Sequence, residues 1–191
     1  MHLTRRDLLQ NVAILLGGSI VGGSVFSISG CQSTDKAVNA LFSESQLAFM
    51  NEIADTILPT TSSPGAKTAN VGKFMSVMVL DCYEVANQKI FMDGLKKIDE
   101  LSEKKFNSSF VKATASQRTE LLKTLDAEQK EYQATKTKEA PSHYFRMMKE
   151  LTVLGYFSSK EGATQALRYL PVPGKYDGAY PYKKGDKAWA T

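Results

Sequence analysis

The sequence predicts an all-α protein, an irregular bundle of about five to six helices with an extended Pro/Gly/aromatic C-terminal tail. Three observations carry this reading. Apolar residues recur at helical spacing in segment after segment from Ser43 to Leu167. No strand-like alternation lasts more than a few residues anywhere. From Tyr169 on, Pro171, Pro173, Gly174, Gly178, Pro181 and Gly185 forbid a long helix. The chain has 191 residues, 42% of them hydrophobic and 23% charged. A chain of that size and composition can bury a real core in one domain after a processed leader. The domain boundaries read as a leader over 1–31, a tether over 32–42 and a helical domain over 43–191, with no internal repeat.

Residues 1–31 have the layout of a targeting segment. Arg5 and Arg6 make a basic start, and Val12 to Ile28 follows without a charge. That stretch is short for a membrane span, which needs about 20 residues, and Gly17, Gly18, Gly22 and Gly23 weaken it as a helix. Thr4-Arg5-Arg6-Asp7-Leu8-Leu9 resembles the twin-arginine export signal, with Leu8 where Phe is common and Gln10 where Lys is common. Ile28-Ser29-Gly30-Cys31 resembles a bacterial lipobox, in which small residues admit the peptidase and the Cys31 thiol accepts the lipid. A multiply acylated Cys31 holds a protein at a membrane surface without a spanning helix. The expected location is therefore the periplasmic side of a bacterial membrane.

The helices follow in order. Ser43 with Gln46 forms a capping box, and Leu47, Met50, Ile53, Ala54 and Ile57 make the stripe of the first helix. Pro59 ends it, and Thr60 to Asn70 is a loop of turn residues. Val71 to Tyr83 is apolar on most sides and reads as the central helix, with Cys82 buried in it. A third helix runs from about Ala86 to Lys105, and Phe106 to Ala113 is a connector whose aromatics tuck inward. Thr114 or Ser116 caps a fourth helix carrying Leu121, Leu122, Leu125 and Tyr132. Gln133 to Ala140 is a polar linker. Ser142 starts a fifth helix with Phe145, Met148, Leu151 and Leu154, and a second capping box, Ser158 with Glu161, opens a short last helix to about Leu167.

No catalytic constellation emerges from the residues. His143 is alone in the mature chain, with no second metal ligand at helical distance. A Cys-x-x-Cys-His haem site and a Gly-rich phosphate loop after a strand are both missing. Gly155 and Gly162 are isolated in helical segments and read as packing or bend sites. Cys82 has Asp81 and Glu84 as neighbours, and carboxylates raise a thiol pKa, against activation. Glu52 and Asp55 share a helix face, where solvated acids are the commoner case. The formal charge is +4, and removal of residues 1–30 with Arg5, Arg6 and Asp7 leaves +3, too mild to argue for nucleic acid. The expectation is a chain with no cofactor of its own.

Four segments, Phe42 to Pro59, Ser63 to Val71, Tyr144 to Tyr156 and Gly162 to Gly178, resemble the family of the small, third subunit of gluconate 2-dehydrogenase. The resemblance implies a non-catalytic partner of an FAD-containing sugar or polyol dehydrogenase of the glucose–methanol–choline type, often with a cytochrome c subunit. It implies that the small subunit helps the flavoprotein mature and cross the membrane. Some relatives carry a cysteine just after the Tyr-Asp-Gly, suited to bridging to the large subunit. Ala179 stands there in this chain, so that covalent link is not expected.

The tail suits a binding role. Tyr and Trp bury much area while keeping one polar handle. Arg168, Tyr169, Tyr176, Tyr180, Tyr182 and Trp189 are the candidate partner surface. Two readings stay open for them: a docking surface, or a tail folded back over its own bundle, with Arg168 able to pair with an acid in either case. The competing class for the whole chain is a free-standing helical envelope lipoprotein that binds a ligand or an envelope component, and an enzyme using unrecognised carboxylates is a third.

Overall fold

The computed structural model describes residues 41–172 and 174–190; the export signal at Arg5 and Arg6, Cys31 and most of the tether lie outside them. Among the described residues there are five α-helices: α1 Glu44–Ile57, α2 Val71–Cys82, α3 Val85–Phe106, α4 Ala115–Thr135 and α5 Tyr144–Ser158. A π-helical turn, Gly162–Ala166, follows, and a two-residue parallel ladder joins β1 (Arg168–Tyr169) to β2 (Trp189–Ala190). The all-α reading holds, with almost no strand among the described residues.

The fold begins before Ser43. Phe42, placed in the tether by the sequence, is buried and meets Phe91 of α3 edge to face, with ring centroids 6.4 Å apart. Its large apolar area belongs in the core once α1 is anchored beside it. The capping boxes of α1 and α4 both form. The Gln46 N–H donates to Ser43 Oγ while the Ser43 N–H donates to Gln46 Oε1, and Thr114 does the same with Gln117. Thr114 rather than Ser116 is therefore the cap of α4.

The centre of the bundle is α5, not α2. Eight of its residues are buried, from Tyr144 to Tyr156, against five in α2, and it packs on each of the other four helices. A helix with so broad an apolar face needs neighbours over most of its girth. Three glycines let the backbones close in. A Cβ on Gly72 of α2 would stand 2.7 Å from the Leu47 carbonyl oxygen of α1; on Gly94 of α3 or Gly155 of α5 it would stand 2.5 Å from the Tyr144 or Phe74 side chain. Asn51 of α1 ties the first crossing together. Its Oδ1 accepts the Gly72 N–H at 2.8 Å, one of the donors that a helix start leaves without a partner, and its Nδ2 donates to Asn70 Oδ1.

Several expectations shift by a position or a turn. Cys82, expected to be buried, is exposed at the end of α2. The buried stripe steps through Gly72, Met75, Ser76 and Val79, and its next place falls on the half-buried Tyr83, about 100° round from Cys82. Leu154 is half exposed for the same reason, since the α5 stripe continues at Gly155 against Phe74. The polar linker starts later than Gln133, because α4 runs on to Thr135, with the Tyr132 hydroxyl donating to the Pro141 carbonyl beyond it. His143, not Ser142, caps α5: its Nδ1 accepts the Phe145 N–H at 3.2 Å. Ser158 stays inside α5 and donates to the Leu154 carbonyl, so its box with Glu161 does not form. Ser159 takes the capping role instead, accepting the Gly162 N–H at 3.0 Å. Gly162 is required there, since a Cβ would stand 1.9 Å from the Tyr156 carbonyl oxygen. Of the connector aromatics, Phe110 is fully buried and Phe106 half-buried.

The Gly72 crossing is backbone against backbone, so no side-chain rotation relieves an added methyl. Gly72→Ala is expected to lower the unfolding free energy by about 1–3 kcal/mol in urea titrations, the clash outweighing the ~1 kcal/mol of helix propensity that alanine adds. An unchanged or raised midpoint would contradict the crossing.

Candidate functional site

The tail closes on itself through backbone groups. The Arg168 and Leu170 N–H groups each donate to β2, to the Ala188 and Ala190 carbonyls, at 2.8 Å. The Lys187 ammonium donates to the Gln165 carbonyl of the π-helical turn. Between the two strands the chain makes tight turns. The Ala179 N–H donates to Asp177 Oδ1 and the Lys183 N–H to Asp186 Oδ2, with Gly185 in the left-handed region at φ 96°. A two-residue ladder is marginal by itself, so side chains must hold this lobe together.

They do so around Arg168. Its guanidinium carbon lies 3.7 Å from the Trp189 ring centroid and 5.5 Å from that of Tyr180, and the two rings meet edge to face at 5.6 Å. Such cation–π contacts are worth about 0.5–2 kcal/mol, more where water is excluded. The acid pairing expected for Arg168 is not made among the described residues; the rings take its place. The six candidate residues therefore divide. Arg168, Tyr180 and Trp189 pack on one another, whereas Tyr176 is 96% exposed, Tyr182 76% exposed and Tyr169 half exposed. Val172 (77% exposed) and Leu170 extend the apolar surface. The tail folds on itself with part of its aromatic surface turned to solvent, and so large an exposed apolar content is unusual for a surface with no partner.

A profile of the family described as gluconate 2-dehydrogenase subunit 3 matches residues 44–174, well over half of the chain. The chain belongs to this family. No curated protein and no solved structure matches it. The match spans the whole helical bundle and the root of the lobe, with Arg168 and Tyr169 inside it and Tyr176, Tyr180, Tyr182 and Trp189 beyond its end. The family is named as a subunit of a dehydrogenase complex, and association with other subunits is the property that the name carries.

Two acids of this gluconate 2-dehydrogenase subunit 3 domain are engaged structurally. Glu52, weighed above as a catalytic acid with Asp55, binds Lys67 and Arg118 from two other segments. Burial opposes its ionisation, but the two cations outweigh it and hold its pKa below the ordinary value. Asp126 is held at about 2 by its bonds to Lys130 and Lys149. Among the described residues no cluster of three His, Cys, Asp or Glu could hold a metal, and no helix is long and apolar enough to cross a membrane. A second exposed apolar stretch, Val153, Leu154 and Phe157, lies along the outer side of α5. The sequence reading missed it because Leu154 was counted as core.

His143 is the group whose titration matters within the bundle. Its ring is nearly buried between Tyr132 and Tyr144, with Glu128 at 3.4 Å and Lys97 bonded to the same Glu128 oxygen. Burial lowers its pKa from the ordinary 6.5, against a smaller opposing effect of Glu128. Protonating Nδ1 would also remove the acceptor for the Phe145 N–H at the positive end of α5. The unfolded chain therefore takes up this proton first. Its contribution to stability is full above about pH 6.5 and is lost as the pH falls from there through the lower folded-state value. His143→Asn, which keeps a capping side chain, is expected to flatten the dependence of the urea midpoint between about pH 7 and about pH 5. An unchanged slope in the variant would contradict this assignment.

Proposed function

We propose that this chain is the non-catalytic third subunit of a periplasmic, FAD-dependent sugar or polyol dehydrogenase of the glucose–methanol–choline type, and that it escorts the flavoprotein through maturation and export. The observation that carries the reading is family membership across the whole helical bundle. The leader supports it. A twin-arginine-like Arg5-Arg6 pair implies export of a folded body, and a helical body without a cofactor motif gains a reason to travel that way from a partner that holds one. Cys31 supplies the membrane attachment through its lipid. The exposed tyrosines and Val172 of the C-terminal lobe supply the docking area, since Tyr and Trp anchors dominate interface energetics. A cytochrome c subunit completes the path for electrons from the flavin, and this chain carries none of them.

The test is co-export. With Arg5 and Arg6 both replaced by Lys, the chain and a yellow, FAD-containing dehydrogenase are expected to remain together in the cytoplasm, read by fractionation and flavin fluorescence. Unchanged export of the flavoprotein would refute the escort role, and an affinity-purified chain that brings down no flavoprotein would refute the complex.

A further inference from the structure

We propose that the pocket beside Arg168 is a carboxylate-binding site that receives an acidic side chain from an extended segment of the partner subunit. This rests on the docking reading above and supplies the chemistry of the contact. The Arg168 guanidinium has its plane fixed by the Trp189 ring at 3.7 Å and Tyr180 at 5.5 Å, and its backbone is pinned by the Ala188 carbonyl. A guanidinium stacked on an aromatic face keeps its N–H donors in its own plane, in the fork that matches a carboxylate. Here those donors meet no carboxylate among the described residues, and the buried Nε has no acceptor among them. A guanidinium left so short of acceptors gains from a carboxylate that reaches its outer Nη groups.

A depression of about 440 Å³ opens beside it, lined by Arg168, Tyr180, Pro181, Lys183 and Asp186. Asp186 is the one acid there, and its Oδ2 already accepts the Lys183 N–H at 2.9 Å. The lobe from 168 to 190 carries Arg168, Lys175, Lys183, Lys184 and Lys187 against Asp177 and Asp186. That surplus of positive charge selects an anionic occupant and speeds its approach. The ladder adds the shape. Since the N–H groups of Arg168 and Leu170 are spent on the 188–190 segment, the Tyr169 N–H points to the other edge of β1, where an extended chain can add.

Trp189 is the only tryptophan in the chain, so its fluorescence reports on this pocket directly. The exported chain is titrated with N-acetyl-tetraglutamate, with tetralysine and with phosphatidylglycerol vesicles. In parallel, capture of the dehydrogenase is measured for the wild type, for Arg168→Gln, for Arg168→Lys and for Tyr176→Ala combined with Tyr182→Ala. The expected result is a saturable response to tetraglutamate and none to tetralysine. Arg168→Gln weakens that response and the dehydrogenase capture at least ~10-fold, and Arg168→Lys rescues neither, because a point charge lacks the fork. Helical circular dichroism is expected to be the same in all variants. An equal tetraglutamate response in Arg168→Gln overturns the proposal. So does a response to vesicles alone, which would assign the lobe to a membrane surface. Loss of capture in the tyrosine variant with full capture in both Arg168 variants overturns the carboxylate site and leaves the docking reading standing. Capture unchanged in every variant overturns both.

Discussion

Packing of α5 against each of the four other helices is the constraint on which the rest of the molecule depends. A helix that carries Tyr144, Phe145, Met147, Met148, Leu151 and Tyr156 toward different neighbours needs cover over most of its girth, and only the strip with Glu150, Val153, Leu154 and Phe157 faces water. The four other helices are arranged to cover it, and Gly94 and Gly155 are glycine because two of those contacts leave no room for a Cβ. The same helix fixes where the tail leaves. The Tyr156 hydroxyl donates to the Pro64 carbonyl at 2.6 Å, while its own carbonyl accepts from Ser159 and lies against Gly162. The π-helical turn starts from that point, so the position of Arg168 is set by core packing some distance from the lobe.

The division of labour that results is between a rigid body and a small attached lobe. The bundle ties many of its charges together internally, as the Glu52, Lys67 and Arg118 contacts illustrate. The lobe has little core. Its two-residue ladder and its one stacked arginine hold a surface rich in exposed tyrosine, proline and lysine. Such a surface gains more from a partner than from solvent, since prolines and tight turns reduce the entropy lost on docking. This is why the proposed site falls on the lobe and not in the bundle.

Features governed by local chemistry were legible in the sequence. The capping box at Ser43 depends only on residues three apart and forms where expected, and of the two caps offered for α4 the structure takes Thr114. The stop at Pro59 and the inward turn of Phe110 are equally local. Features set by tertiary neighbours were not. Whether α2 or α5 is central depends on how many elements surround each, which periodicity does not encode. Cys82 and Leu154 each sit one position off a stripe whose phase is fixed by glycine contacts from other helices. Ser158 and Ser159 are both plausible caps, and the close approach of Gly162 to Tyr156 decides between them. At the lobe the residue types were visible and their pairing was not. Arg168 and Trp189 lie far apart in the chain and meet through a parallel ladder that has no alternation to announce it.

The chain belongs to the gluconate 2-dehydrogenase subunit 3 family, and the role proposed for it is that of holding a partner. The most direct test of that proposal is amide hydrogen exchange of the chain, alone and mixed with the proposed flavoprotein dehydrogenase. The account predicts strong added protection across residues 168–190, with the bundle helices unchanged. Protection confined to the bundle, or none anywhere, would contradict it.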